Sequence, residues 1–293
     1  MSLSILIPTY NYDCSKLICD LRVQAEELGV AYEIIVGDDG STDGSIVKNL
    51  IDTCSSSSKC RLLRMKKNQG RAGIRNMLGH EASYDTLMFM DSDAEVVDSN
   101  FLKSYVSEAY VHDVVSGTIT HQDVPPSSEK MLRYEYEKKS EQKFTAQKLN
   151  KMSYPPFSSF CFMIRKELFD QVQFDESFTE YGYEDVFYGK ALRESGHKVY
   201  YIPTRLQHNG METNVKFIEK TEKALNTLKL HSDDLSKDVY LLRLVNKLHK
   251  FRLDGLVRVI LKPFMKKLRN NLCSNEAKLK WFNYYKLGYY LNN

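Results

Sequence analysis

Three short apolar runs constrain this chain most, because each stops abruptly in a polar loop and is separated from the next by helical spacing. Residues 4–7 end at Pro8-Thr9-Tyr10, residues 33–36 end at Gly37-Asp38-Asp39-Gly40, and residues 86–90 end at Asp91-Ser92-Asp93. After the first run, Leu17, Leu21, Ala25 and Leu28 fall on one helix face, and Gly29 can stop that helix. Asp43 can cap a second helix through Ile46 and Leu50, and Ala72, Ile74 and Leu78 mark a third beyond a short strand at 61–65. Alternating strands and helices predict an α/β fold, with a parallel sheet covered by helices on both faces. Ligands of such sheets bind beyond the carboxyl ends of the strands, so three unrelated polar loops are expected on one edge.

The rest of the chain is organised differently. Strand character returns at 113–120, 158–164 and 198–202, a helix is expected over 183–194, and the sequence is helical from Asn214 onward. Between 121 and 157 the chain is polar, with a charged helix-like stretch from Glu129 to Lys148 flanked by Pro125-Pro126 and Pro155-Pro156. This stretch reads as a solvated amphipathic helix in preference to a flap near an acceptor. A domain boundary is expected at 210, with residues 1–210 carrying the chemistry and residues 211–293 forming a helical extension.

Composition excludes several classes. The net charge of 293 residues is only +3, which argues against a nucleic-acid binder acting through bulk charge. No apolar run approaches the roughly 18 residues of a membrane-spanning helix, and the N-terminal run meets Pro8 without a basic leader, so it reads as a strand and not a signal peptide. Six cysteines without a Cys-x-x-Cys pair read as free thiols of a reducing compartment, the cytoplasm. Neither a Gly-x-Gly-x-x-Gly nor a Walker lysine motif is present.

Four constellations carry chemistry. In extended backbone Asp91 and Asp93 would point the same way, and two hard oxygen ligands suit Mg²⁺ or Mn²⁺ bridging phosphates. Asp38 and Asp39 can accept hydrogen bonds from a base or ribose, while residues 41–43 fit a turn and helix cap. Arg71 and Arg75, at a helix start beside Gly70 and Gly73, can reach phosphate or a base face, or be plain surface charge. Glu184 and Asp185 open a helix among aromatic residues; they can be dipole-compensating acids, or one can deprotonate an acceptor hydroxyl. His208 follows a strand and is either structural or a third metal ligand.

The ordered set resembles the family 2 inverting glycosyltransferases with the GT-A fold. The matching stretches are Ser4-Ile5-Leu6-Ile7-Pro8-Thr9-Tyr10-Asn11, residues 33–43, Asn68-Gln69-Gly70 with Arg75-Asn76, Met90-Asp91-Ser92-Asp93 and Gly182-Tyr183-Glu184-Asp185. The resemblance implies a Rossmann-like, mostly parallel sheet and a nucleotide-diphosphate-sugar donor, most often a UDP-sugar. It implies that Pro8, Thr9 and Tyr10 line the nucleoside pocket and that Asp39, with or without Asp38, contacts the base. Arg71 or Arg75 would touch the nucleotide, and Gly70 and Ser92 join the donor-binding set. Asp91 would face the ribose or sugar, Asp93 would hold Mn²⁺ or Mg²⁺ on the diphosphate, and His208 would complete the metal site. Asp185 would be the general base, with Glu184 positioning a glycan or lipid-linked acceptor, and the setting would be cell-surface polysaccharide assembly. Two departures are Gly37, where the family commonly has Val, and the intruding Arg71. The competing reading is a catalytically silent nucleotide-sugar or glycan-binding protein on the same scaffold.

The C-terminal region lies outside the resemblance. Basic and apolar residues alternate over 255–269, and Trp281, Phe282, Tyr284, Tyr285, Tyr289 and Tyr290 follow. Such helices either lie on an anionic bilayer, at the inner face of a membrane, or pack on the domain or a homodimer partner.

Overall fold

A computed structural model describes residues 1–293. Its strands are β1 (Ser2–Thr9), β2 (Ala31–Asp38), β3 (Cys60–Arg64), β4 (Thr86–Met90), β5 (Ala94–Val96), β6 (Val114–Thr120), β7 (Cys161–Arg165) and β8 (Val199–His208). Its helices are α1 (Ser15–Leu28), α2 (Gly44–Ser55), α3 (Gly70–Glu81), α4 (Phe101–Ala109), α5 (Met131–Lys143), α6 (Ala146–Leu149) and α7 (Lys166–Gln171). They continue with α8 (Glu184–Glu194), α9 (Asn214–Leu230), α10 (Tyr240–Lys250), α11 (Asp254–Leu261), α12 (Met265–Leu272) and α13 (Phe282–Asn292).

Local chemistry sets the early boundaries. Gly29 adopts φ 65° and donates its N–H to Glu26 O, closing α1. The Asp43 carboxylate accepts from Ser45 N and caps α2. In β2, Ile34 and Val36 face one side of the sheet and Ile35 the other, and all three are fully buried. Their run is continuously apolar because helices cover both faces.

The strand order is β3-β2-β1-β4-β7-β6-β8-β5. β1 pairs in parallel with both β2 and β4, so the ends of all three strands point to one edge. The sheet is mostly parallel, as the resemblance implies; β7 runs antiparallel to β4 and β6, and β5 runs antiparallel to β8. Apolar periodicity reports burial and not strand direction, and three-residue β5 is too short to show a period. One expectation needs correcting here, that of extended backbone at Asp91–Asp93: Ala94 N donates to Asp91 O, so the segment is a turn.

One buried side chain ties the sheet edge to the acidic segment. Asn76 on α3 donates Nδ2–H to Phe174 O at 2.9 Å and accepts Phe174 N–H on Oδ1 at 3.0 Å. Its amide also reaches Glu176 Oε1 at 2.9 Å. Replacing Asn76 by Ala strands two buried backbone groups, so Asn76→Ala is expected to lower unfolding free energy by about 2–4 kcal/mol. Denaturant titration of the two proteins measures it, and a loss well below 1 kcal/mol contradicts this tether.

Candidate active site

Sheet register assembles the site. Ala94 stands opposite His208 in the β5–β8 pair, and Asn209 N donates to Asp93 O at 3.0 Å. Asp93 is thereby brought to His208, with Oδ2 3.1 Å from Nε2. Gly210 packs onto the same two atoms: a Cβ there would stand 2.1 Å from Asp93 Oδ2 and 2.8 Å from His208 Nε2. Only glycine leaves them free to face a ligand. A carboxylate oxygen beside an imidazole nitrogen is a donor set that fits Mn²⁺ or Mg²⁺, the nitrogen favouring Mn²⁺.

Behind His208 lies a carboxylate that the sequence did not point to. His208 Nδ1 is 3.0 Å from Glu137 Oε2, and His121 Nε2 is 2.8 Å from the same oxygen. Arg133 Nε donates to Glu137 Oε1 at 2.7 Å. Burial disfavours an imidazolium at His208, but the hydrogen bonds it donates to Asp93 and Glu137 outweigh it and push its pKa up to about 9. Burial also opposes charge on Glu137, yet His121, His208 and Arg133 hold its carboxyl well below the usual range. The ligand atoms of His121, Glu137 and His208 lie within 4.8 Å of one another, a grouping that could itself hold a cation. The guanidinium of Arg133 on the shared carboxylate favours a different role, that of a support fixing the His208 ring.

These groups line a cavity of about 440 Å³ together with Arg71, Asp91, Asp185 and the aromatic rings of Tyr136, Tyr181 and Tyr201. Asp91 Oδ1 accepts from Arg75 Nη2 at 2.5 Å. Arg71 is half exposed, lies over the Tyr181 ring at 4.9 Å, and stands 3.6 Å from Glu184 Oε1. Asp185 accepts Val186 N–H on Oδ1 at 2.8 Å. Burial, with the neighbouring Glu184 charge adding to it, pushes its pKa up to about 7.

The structure thus joins five of the expected residues, Arg71, Asp91, Asp93, Asp185 and His208, around one cavity. The donor-side residues sit beside it on the same sheet edge. Asp39 N donates to Thr9 O, while Asp39 Oδ1 and Oδ2 accept from Gln69 N at 2.6 Å and Gly70 N at 3.2 Å. Gly70 takes φ +78°, which the close turn onto Asp39 requires. Tyr10 is exposed, Pro8 and Ser92 are partly exposed, and Thr9 is buried with its hydroxyl donating to Tyr12 O.

Three expected ligand contacts become internal ones. Asp38 is wholly buried, its carboxylate taking Ser41 N–H and Arg64 Nε–H, so it presents nothing to a donor. Arg75 is 2% exposed and braces Asp91 from below in place of reaching out to a nucleotide. Glu184 is buried against Arg71 and does not line the cavity where an acceptor would be positioned. The reading of the stretch from Glu129 to Lys148 as a solvated amphipathic helix is also overturned. Arg133, Tyr136, Glu137 and Ser140 on α5 line the cavity, and Leu132 is fully buried among the C-terminal helices. Since the buried faces of α5 include charged groups, its sequence shows no clear apolar stripe. The one cue was the Arg133–Glu137 pair at i, i+4.

Comparison with known proteins agrees with this architecture. The family model "Glycosyl transferase family 2" matches residues 4–173. An uncharacterized glycosyltransferase, YfnE of Bacillus subtilis (strain 168), is 32% identical over 93 residues, covering 32% of this chain and 23% of that protein. This chain spans less than half the length of each of the curated relatives it matches. Among solved structures, the mannosyltransferase PcManGT from Pyrobaculum calidifontis in complex with GDP-Man and Mn²⁺ superposes with TM-score 0.55 at 16% identity, over 81% of this chain and 64% of that one. TarS 1-349 of S. aureus in complex with UDP-GlcNAc gives TM-score 0.50 at 16% identity, over 98% and 90%. At these identities the likeness establishes the fold, which is GT-A. With its family model spanning more than half the chain, the protein belongs to glycosyl transferase family 2.

Proposed function

We propose that this protein transfers a sugar, with inversion, from a nucleotide-diphosphate-sugar to a hydroxyl of a glycan or lipid-linked glycan, in the assembly of cell-surface polysaccharide. The observation that carries the reading is the convergence of Asp93, His208, Arg71 and Asp185 on one cavity. The donor is read as a UDP-sugar, in keeping with the UDP-GlcNAc held by one structural neighbour, although another holds GDP-Man. Residues 1–210 are read as the transferase body and 211–293 as its helical extension. The thiols are all free, in keeping with a cytoplasmic setting.

Each group has work suited to its surroundings. Asp93 and His208, with Asp91 beside them, would hold Mn²⁺ or Mg²⁺. A bound divalent cation supplies positive charge against the charge that grows on a departing diphosphate. Glu137 keeps the His208 ring oriented, because accepting from Nδ1–H leaves Nε2 free as a ligand atom. Arg71, held over the Tyr181 ring, brings a second positive charge to the cavity. Thr9, Tyr10, Asp39 and Gly70 form the edge on which base and ribose would rest. Asp185 takes the proton from the acceptor hydroxyl, and the oxygen attacks the anomeric carbon opposite the leaving group. One base and one displacement give inversion, by analogy with the stereochemistry of glycoside hydrolysis.

Two experiments test this. In the first, nucleotide-sugar binding and turnover are measured for the wild type, Asp185→Asn and Asp93→Ala, with Mn²⁺, Mg²⁺ or EDTA. Asp185→Asn is expected to bind donor normally and to lose roughly 10²–10⁴-fold in kcat. Asp93→Ala should lose metal-dependent donor binding. A base with a raised pKa is active once deprotonated, so kcat/KM should rise with pH through about 7 and then level. Full turnover by Asp185→Asn refutes its role as base, and donor binding without turnover by the wild type moves the reading to a silent scaffold. The second experiment measures Mn²⁺ affinity in Glu137→Gln. A drop of about 10–100-fold is expected with the fold intact, and unchanged affinity shows that Glu137 does not orient a metal ligand.

A further inference from the structure

We propose that the outer face of α11 and the turns flanking it form a docking surface for an anionic lipid bilayer. No residue of α11 is buried. Leu256, Val259 and Ile260 recur at i, i+3 and i+4 and so share one side of α11, while Leu253 and Phe264 stand in the turns that flank it. They are 43%, 57%, 53%, 54% and 70% exposed in the order Leu253, Leu256, Ile260, Phe264, Val259. Scattered surface apolar residues need no explanation, but five within twelve residues, on one helix and its flanking turns, are a concentration that does. The stripe is not waiting for the protein's own core. The opposite side of the segment already packs on α13, where Gly288 lies close against Met265 and Leu261.

Charge identifies the partner. Residues 240–272 hold nine Lys or Arg and a single acid, Asp254, in a chain whose net charge is only +3. Lys247, Lys250, Arg252, Arg258, Lys262 and Lys266 are all exposed and make no ion pair. Apolar residues flanked by unpaired cations match the headgroup region of an anionic leaflet, where apolar side chains enter the acyl boundary and lysines meet phosphates. A second copy of the chain fits less well. A two-fold contact would place this basic face against itself, and like charges across an interface oppose association.

The test is co-sedimentation of the intact chain with vesicles of phosphatidylcholine alone or of equal parts phosphatidylcholine and phosphatidylglycerol, at low and high salt. The readout needs no nucleotide-sugar, so it stands or falls independently of the sugar-transfer reading. Binding to the anionic vesicles only, weakened by salt, is expected. The double variant Leu256→Asn/Ile260→Asn should bind about 10-fold or more weakly, with an unchanged melting transition because both side chains are exposed. Failure of the intact chain to bind anionic vesicles overturns the proposal, as does equal binding by the double variant. Light scattering supplies the remaining outcome. Self-association that the double variant abolishes, without vesicle binding, assigns the face to a second copy and also overturns it.

Discussion

The site depends on the pairing of a three-residue strand with the end of a ten-residue one. Strand register has a period of two, so a slip of one residue in the β5–β8 pair would turn His208 to the opposite face and away from Asp93. Glu95 guards that register. Its Oε2 accepts from Gln207 Nε2 at 2.9 Å and from Asn209 Nδ2 at 2.8 Å, gripping the residues on either side of His208. Its other oxygen meets Lys16 of α1 at 3.1 Å, which ties the rim of the sheet to the first helix. A contact between residues 115 positions apart is thus held by backbone pairing and by one clamped carboxylate.

Around that contact, charge alternates. Arg75 braces Asp91, His208 meets Asp93, and Glu137 lies between His208, His121 and Arg133. Each charge taken from water has an opposite partner, the condition under which buried charges are tolerated. Asp185 is the exception. The nearby guanidinium of Arg71 stands by Glu184, leaving Asp185 with a backbone N–H and an acidic neighbour. Burial, with the Glu184 charge adding to it, raises its pKa towards neutrality while Asp93 and Glu137 are held low. Neighbouring carboxyl groups driven apart in acidity divide into groups that hold charge and a group that takes up a proton.

What the sequence could reveal follows from how each part is encoded. Three of the first four strands, β1, β2 and β4, were legible because apolar runs ending in Pro8, Asp38 and Asp91 carry both the strand and its polar end. Asp93, Asp185 and His208, which line one cavity, were legible as candidates, since polar groups at strand and helix ends stand out from a solvated background. The directions of β5 and β7 were not, because hydrophobic alternation is the same for parallel and antiparallel strands. Arg75 and Asp38 misled, since a buried ion pair and an exposed ligand contact use the same residue types. Whether a charge faces a partner or the solvent depends on residues such as Arg64 and Asp91, whose proximity only the fold creates. Glu137 was missed for the converse reason, lying on a helix whose sequence shows no clear apolar stripe.

The position of α5 also bears on what the C-terminal helices do. Leu132 shares a cluster with Ile218, Leu268, Leu272, Phe282 and Tyr285, all contributed by residues beyond 210. Tyr136 lines the cavity and meets the Phe282 ring edge-on at 5.2 Å. Asn214 accepts Leu132 N–H and donates to Ser128 O and Ser274 O, stitching the start of α5 to α9 and to the turn after α12. One wall of the cavity is therefore backed by the extension, and a boundary at 210 marks a change in topology without separating two cores. Because α5 carries Glu137 on one side and Leu132 on the other, its placement is set by the C-terminal helices as much as by the sheet. The orientation of His208 then depends on both halves of the chain, and the exposed stripe on α11 lies on the outer side of the same helical assembly, joined to it through Gly288 of α13.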